Sequence, residues 1–288
     1  MDALPPDASE ASRSRYDLAR ELARLCPPHL GQEMALTGSA SLGLSDEYSD
    51  IELNFWGDHI PPPDERRQWL YAAGATDITL DEHQIADGSF WVTCRFQGIW
   101  VEAGWQEIGA QEKLLRGILA GEVTEHARLM LAFIIQHAVS LRSGGWLAGW
   151  QQSLTQYPDA LQARLIAETS LAWSFPHILM SWWGLPQRDE RLRLHAILAR
   201  ELHNALRILF ALNRQWEPEW KWIAPLTSSL AIKPERLAER INAIFSSPPE
   251  QSLRLCLQLI SETLLLVPAP DDVSRALATL ESSLRTHS

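Results

Sequence analysis

The sequence predicts an α+β protein: a small mixed-sheet domain over residues 1–108 and an all-helical bundle over 109–288. Three observations predict it. Short apolar runs with period-two alternation, punctuated by Gly, Pro and Asp, fill residues 33–105, as half-buried strands do. Past Gln106 those runs stop, and helical spacing of apolar residues takes over. The composition, 46% hydrophobic and 21% charged over 288 residues, suits a globular chain long enough for two cores.

Taken in order, residues 1–10 are rich in Pro, Asp and Ala and carry no period. Arg13 to Cys26 place Tyr16, Ala19, Leu22, Ala23 and Cys26 on one helical stripe, and Pro27-Pro28 ends it. Residues 33–37 read as a strand, 38–45 as a turn and short helix, and 50–56 as a second strand. Pro61-Pro62-Pro63 leads into a helix over 64–73. Strands follow at 76–81, 89–96 and 99–105, the last two joined at Gln97-Gly98 as a hairpin. Helices are expected at 107–120, 124–142, 158–175, 189–215, 234–246, 249–267 and 271–286.

Charge narrows the partners. Residues 1–108 hold 19 acidic and 7 basic side chains (net −12), and residues 109–288 hold 17 and 18 (net +1). An acidic first half argues against long nucleic acid, whose phosphates need clustered Lys and Arg. It suits a cationic small molecule, and it also serves solubility. The three cysteines, Cys26, Cys94 and Cys256, have neither metal-ligand nor disulfide spacing. With no leader pattern and no apolar run long enough for a bilayer, no membrane association is expected, and a reducing cytoplasmic setting is.

The chemistry concentrates at residues 38–52, Gly-Ser-Ala-Ser-Leu-Gly-Leu-Ser-Asp-Glu-Tyr-Ser-Asp-Ile-Glu. Strand period puts Asp50 and Glu52 on one face and sends Ile51 and Leu53 to the other. Two carboxylates on a strand face behind a turn with open amides are what a Mg2+–triphosphate site asks for, because Mg2+ takes oxygen ligands and shares them with substrate phosphates. A third carboxylate, Glu102, interrupts the apolar strand Ile99-Trp100-Val101-Glu102-Ala103-Gly104-Trp105, where an unpaired charge would be costly. A ligand, a base or a salt bridge would each explain it. Asp46 and Ser49 read as turn formers.

Gly38-Ser39, then Asp50-Ile51-Glu52, then a later strand carboxylate resembles the DNA polymerase β-like nucleotidyltransferase superfamily. Within it the chain looks most like small bacterial aminoglycoside and lincosamide nucleotidyltransferases with a helical C-terminal domain. Residues 30–105 carry the resemblance; Glu52 stands where Asp is commoner. The resemblance implies that Gly38 and Ser39, with Ser49 as a lesser contributor, hold the triphosphate. It implies one or two Mg2+ held by Asp50, Glu52 and Glu102, with Glu102 also accepting the proton of the attacking hydroxyl. ATP is the expected co-substrate and a small-molecule hydroxyl the expected acceptor. A protein or tRNA acceptor of the toxin–antitoxin type, or a retired nucleotide- or partner-binding domain, are the other readings.

The helical half adds less. Lys221, one of three lysines beside 22 arginines, lies in an aromatic-rich stretch over 213–223 and is a candidate triphosphate contact from the second domain. Trp216, Trp220 and Trp222 are expected in the core. His195 and His203 accompany the stripe Leu192, Ala199, Leu202 and Leu206, and are expected as core or groove histidines. Arg188 and His195 formally match the spaced Arg–His ribonuclease pattern of HEPN helical domains, which an Arg-rich helix readily produces by chance.

Overall fold

The computed structural model describes residues 3–80, 89–268 and 273–287. The chain forms two compact units: Met1–Leu119 with Ala127–Gln156, and Ala120–His126 with Tyr157–Ser288.

The first unit runs α1 (Glu10–Leu25), β1 (Glu33–Thr37), α2 (Gly38–Ser41), β2 (Ile51–Gly57), α3 (Pro63–Ala72), β3 (Thr76–Leu80), β4 (Phe90–Phe96), β5 (Ile99–Glu107), α4 (Ile108–Leu119), α5 (His126–His137), β6 (Val139–Arg142) and α6 (Trp146–Ser153). The strands form one mixed sheet in the order β3-β4-β5-β2-β1-β6, with β2 and β5 parallel and the other pairs antiparallel. Gln97 and Gly98 both adopt positive φ (49° and 83°), the backbone of a two-residue hairpin turn, so β4 and β5 pair as the sequence predicts.

One face of this sheet is apolar. Met34, Leu36, Ile51, Leu53, Phe55, Val92, Cys94, Val101 and Ala103 are fully buried there, with Trp69 of α3 and Ala19 and Leu22 of α1 in the same core. Phe55 stacks on Trp105 at 4.5 Å and meets Trp69 edge-on at 5.5 Å, while Trp105 Nε1 donates to Leu30 O at 2.7 Å. Each fully buried Met, Leu, Ile, Val or Phe among them contributes about 1.5–3 kcal/mol. The alternate residues of the same strands supply the opposite, polar face.

The structure alters the expected organisation at residues 124–142 and at the domain boundary. The helix expected there stops at His137, and Val139–Arg142 returns to the sheet as β6 on the free edge of β1. Glu33, fully buried in β1, then accepts from the amides of Gly144 (2.9 Å) and Trp146 (2.6 Å) at the start of α6. The first unit therefore extends to Gln156 instead of ending at 108. Residue 81 of the expected 76–81 strand, and 271–272 of the last helix, lie outside the described residues.

The second unit is helical: α7 (Asp159–Leu171), α8 (Pro176–Gln187), α9 (Arg191–Leu212), α10 (Ile223–Ser228), α11 (Leu237–Ser246), α12 (Pro249–Leu265) and α13 (Ser274–Thr286). Helices α6, α8 and α10 are not among those the sequence predicts. Leu198, Leu209, Leu257, Ile260 and Leu280 centre its core. Buried Glu201 accepts from Trp173 Nε1 (2.8 Å), Arg200 Nε (2.6 Å) and Asn204 Nδ2 (3.1 Å). The fold class is thus α+β, a mixed sheet followed by helices, as expected. Among the described residues no helix is long and apolar enough to cross a membrane.

Candidate functional site

Register brings the polar face into focus. Thr93 of β4 pairs with Glu102 of β5, Glu102 with Glu52 of β2, and Glu52 with Thr37 of β1. Directly paired residues share a face, so Thr93, Glu102, Glu52 and Thr37 form one row across four strands. The two glutamates are neighbours in it, one strand spacing of about 5 Å apart at the backbone. Asp50 precedes β2 on the same side and is half-buried, like both glutamates.

Gly38 follows Thr37 directly, with φ +65°. A Cβ on Gly38 would collide with the Glu52 carboxyl carbon and both its oxygens, Oε2 at 2.8 Å. Glycine meets that backbone and that approach without strain. Beyond it, Ser39 Oγ lies 3.1 Å from Ser45 Oγ, and Ser41 Oγ donates to Gly38 O at 3.0 Å.

Two sets of side chains hold this turn, and the sequence reading named neither. In the first, Gln106 Nε2 donates to Asn54 Oδ1 (2.8 Å), and Asn54 Nδ2 donates to Thr37 Oγ1 (2.6 Å), all three residues being buried. Extending the Asp50, Glu52 alternation by one step would have found Asn54. In the second, buried Arg15 of α1 donates from Nε and Nη2 to Ser49 O (3.1 and 3.0 Å) and from Nη2 to Glu47 O (3.3 Å). Its signal is a charged residue continuing the buried i, i+4 stripe of Ala19 and Leu22. Ser9 Oγ donates to Ser45 O (2.7 Å) and Ser45 N to Ser12 Oγ (2.9 Å). The loop ahead of Asp50 is thereby pinned to α1.

Asp46 and Ser49 form the turn expected of them: Ser49 Oγ donates to Asp46 Oδ1 (2.9 Å), which also accepts from Tyr48 N (3.0 Å). Ser49 lines, with Asp50, Thr93, Arg95, Trp100 and Glu102, a cavity of about 570 Å³. Arg95 lies over Trp100 at 4.4 Å, and Tyr48 at its rim is 88% exposed. Asp50 and Glu102 therefore face one space, and Glu52 stands between Glu102 and the Gly38 turn.

The donor set fits a hard divalent cation in chemistry, being all carboxylate oxygen. Among the described residues no group of three His, Cys, Asp or Glu side chains stands ready to hold a metal ion.

The remaining sequence candidates lie in the second unit. Lys221 forms an exposed ion pair with Glu219 at 3.2 Å. Trp216 is buried against Tyr157 (4.7 Å), as expected. Trp220 is sandwiched between the rings of His126 (4.7 Å) and His203 (5.0 Å), both within 14° of parallel. Burial, and the neighbouring His126, hold the His203 pKa below its usual value. His126 Nδ1 and Arg207 Nε each lie 2.9 Å from Glu217 Oε2, which is buried. His195 is exposed instead of buried, and so is Leu192 at 87%, because the buried stripe of α9 runs through Leu194, Ile197 and Leu198. Arg188 caps α8 and does not stand on the helix of His195, so the Arg–His pattern is not a helix-face motif here.

Comparison with known proteins adds three facts. A family model described as a domain of unknown function, DUF4037, matches residues 122–223. No curated protein matches the chain. A solved nucleotidyltransferase-like protein from Exiguobacterium sibiricum 255-15 is similar at 13% identity and TM-score 0.34, over 96% of this chain and 74% of its own. That likeness is too slight to carry an argument, and the site stands on its own geometry.

Proposed function

We propose that the first unit is a Mg2+-dependent nucleotidyltransferase transferring NMP, with ATP as the expected donor, to a hydroxyl of a small molecule. One observation carries the reading: Glu52 and Glu102 stand side by side in the cross-strand row, and Glu52 rests on a turn whose positive φ and close approach favour glycine. The sequence resemblance to DNA polymerase β-like nucleotidyltransferases points the same way.

In this reading the amides of the Gly38-Ser39 turn, the Ser39 hydroxyl and Ser49 orient the triphosphate. Asp50, Glu52 and Glu102 would hold the cation, which when bound neutralises phosphate charge and stabilises the leaving pyrophosphate. Glu102 accepts the proton of the acceptor hydroxyl as its oxygen attacks the α-phosphorus. The acceptor would occupy the cavity shared by Asp50 and Glu102, whose acidic wall and exposed Tyr48 and Trp100 suit a cationic or ring-bearing molecule. A retired nucleotide-binding domain is the second reading, since ligands can outlast activity.

The test follows pyrophosphate release from ATP and Mg2+ with hydroxylated metabolites and aminoglycosides as acceptors. Asp50→Asn is expected to abolish turnover and weaken Mg-ATP binding, and Glu102→Gln to reduce turnover more than nucleotide affinity. Unchanged release in Asp50→Asn would sink the mechanism. Calorimetry showing no nucleotide binding by wild type would sink the site itself. Nucleotide binding without turnover selects the retired domain. Unchanged affinity in Lys221→Ala returns Lys221 to its surface pair with Glu219.

A further inference from the structure

At the β6 edge of the sheet, the flank of α1 and the strand enclose a cavity of about 370 Å³ lined by Tyr16, Arg20, Arg24, Ser140 and Arg142. Three arginines line it, although residues 1–108 carry a net charge of −12. None of the three has a carboxylate within ion-pair distance among the described residues, whereas ten other arginines do. Arg20 and Arg24 are exposed and stand four apart on α1, with Asp17 and Glu21 three residues ahead of them.

Arg142 is fixed in advance. It donates from Nη1 to Pro27 O (3.2 Å) and Gly31 O (3.1 Å), and from Nη2 to Ala23 O (3.4 Å) and Cys26 O (2.5 Å). Carbonyls at the C-terminal end of α1, the negative end of its dipole, hold the guanidinium and offset part of its charge, and Nε–H is its one donor outside these bonds. Arg20 lies over the Tyr16 ring at 5.6 Å, which orients a side chain otherwise free to swing. Ser140 lines the cavity from the edge strand.

We propose that this cavity binds the phosphate group of a small phosphorylated molecule, with Arg20 and Arg24 closing on it from α1 and Arg142 as the fixed charge. Three guanidinium groups match a dianion better than a carboxylate, and guanidinium forks suit phosphate oxygens. The volume falls in the range of small-molecule sites. The proposal is independent of the nucleotidyl-transfer reading, since no residue is shared.

The experiment is calorimetry on the full chain in EDTA, titrating inorganic phosphate, ribose 5-phosphate and acetate in turn. Saturable binding of the phosphate probes, with acetate far weaker, is expected. Tighter binding of ribose 5-phosphate than of phosphate identifies a phosphoester as the ligand, and equal binding identifies the free ion. Arg20→Ala with Arg24→Ala should weaken phosphate binding by about tenfold or more, the scale of losing charge-assisted bonds. Asp50→Asn should leave it unchanged. Arg20→Lys with Arg24→Lys keeps the charge and loses the fork, so intermediate affinity is expected, and this variant decides the matter should the alanine pair fold poorly. Absent saturable binding, equal affinity for acetate, or unchanged affinity in the double variants would overturn the proposal.

Discussion

The Glu52 carboxylate rests directly on the α-carbon of Gly38, in the space a side chain on residue 38 would need. The turn that opens after β1 and the carboxylate that opens β2 are thus one steric unit, although fourteen positions separate them in sequence. Gly38→Ala must both strain a backbone at φ +65° and displace Glu52. A loss of about 1–3 kcal/mol in urea unfolding is expected, with a fall in Mg-ATP affinity larger than the stability change explains. Wild-type behaviour in both assays would contradict this geometry.

Asn54 connects the turn to β5. Replacing it with Leu leaves Gln106 Nε2 and Thr37 Oγ1 buried without their shared partner. Denaturant titration should register about 1–3 kcal/mol of destabilisation, the cost of orphaned polar groups. Nucleotide binding should weaken as Thr37 loosens ahead of Gly38, whereas a Leu variant that binds normally would make Asn54 a packing residue only.

In the second unit, Glu217 is the buried anion that His126 and Arg207 share. Glu217→Ala strands the Arg207 guanidinium, and a cost of about 3–5 kcal/mol is expected from thermal unfolding. Because Trp220 is stacked between His126 and His203, its fluorescence should shift in the same variant. An unmoved melting temperature would show that this ion pair contributes nothing.

Burial lowers the His137 pKa from 6.5 to about 4, with Phe133 against the ring at 4.4 Å. Between those values the unfolded chain takes up a proton that the folded chain refuses. Stability attached to this group is therefore full above pH 6.5, falls as the pH drops towards about 4, and levels off below. The loss is at most about 3 kcal/mol. His137→Gln should flatten that part of a stability–pH curve, and an unchanged acid slope would place the effect elsewhere.

The site was legible where chemistry and local period coincide. Asp50, Ile51, Glu52 and Leu53 declared their faces by alternation, and Gly38 by its place between an apolar strand and a serine. What stayed hidden depends on contacts distant in sequence. Val139-Ser140-Leu141-Arg142 is a strand only because β1 has a free edge about a hundred residues earlier, and its four residues merge with the helical pattern before them. Helix α8 was masked by Gly184 and Pro186, which punctuate its last turn yet do not end it. Arg15 extends the buried stripe of Ala19 and Leu22, but nothing local shows that carbonyls of residues 47 and 49 will arrive above it.

The late return of β6 also sets a timetable for synthesis. As the chain leaves the ribosome, β1 and β2 can pair early, but β5 must arrive before the two glutamates meet, and the outer edge of β1 stays open until residue 142 has emerged. A fragment ending at residue 108 would expose a row of unpaired amides and carbonyls beside fully buried Met34 and Leu36, an invitation to edge-to-edge association. The sheet that carries the carboxylates is therefore not excisable at the point where its chemistry ends; the smallest self-sufficient piece runs on through the helices that bring its last strand home.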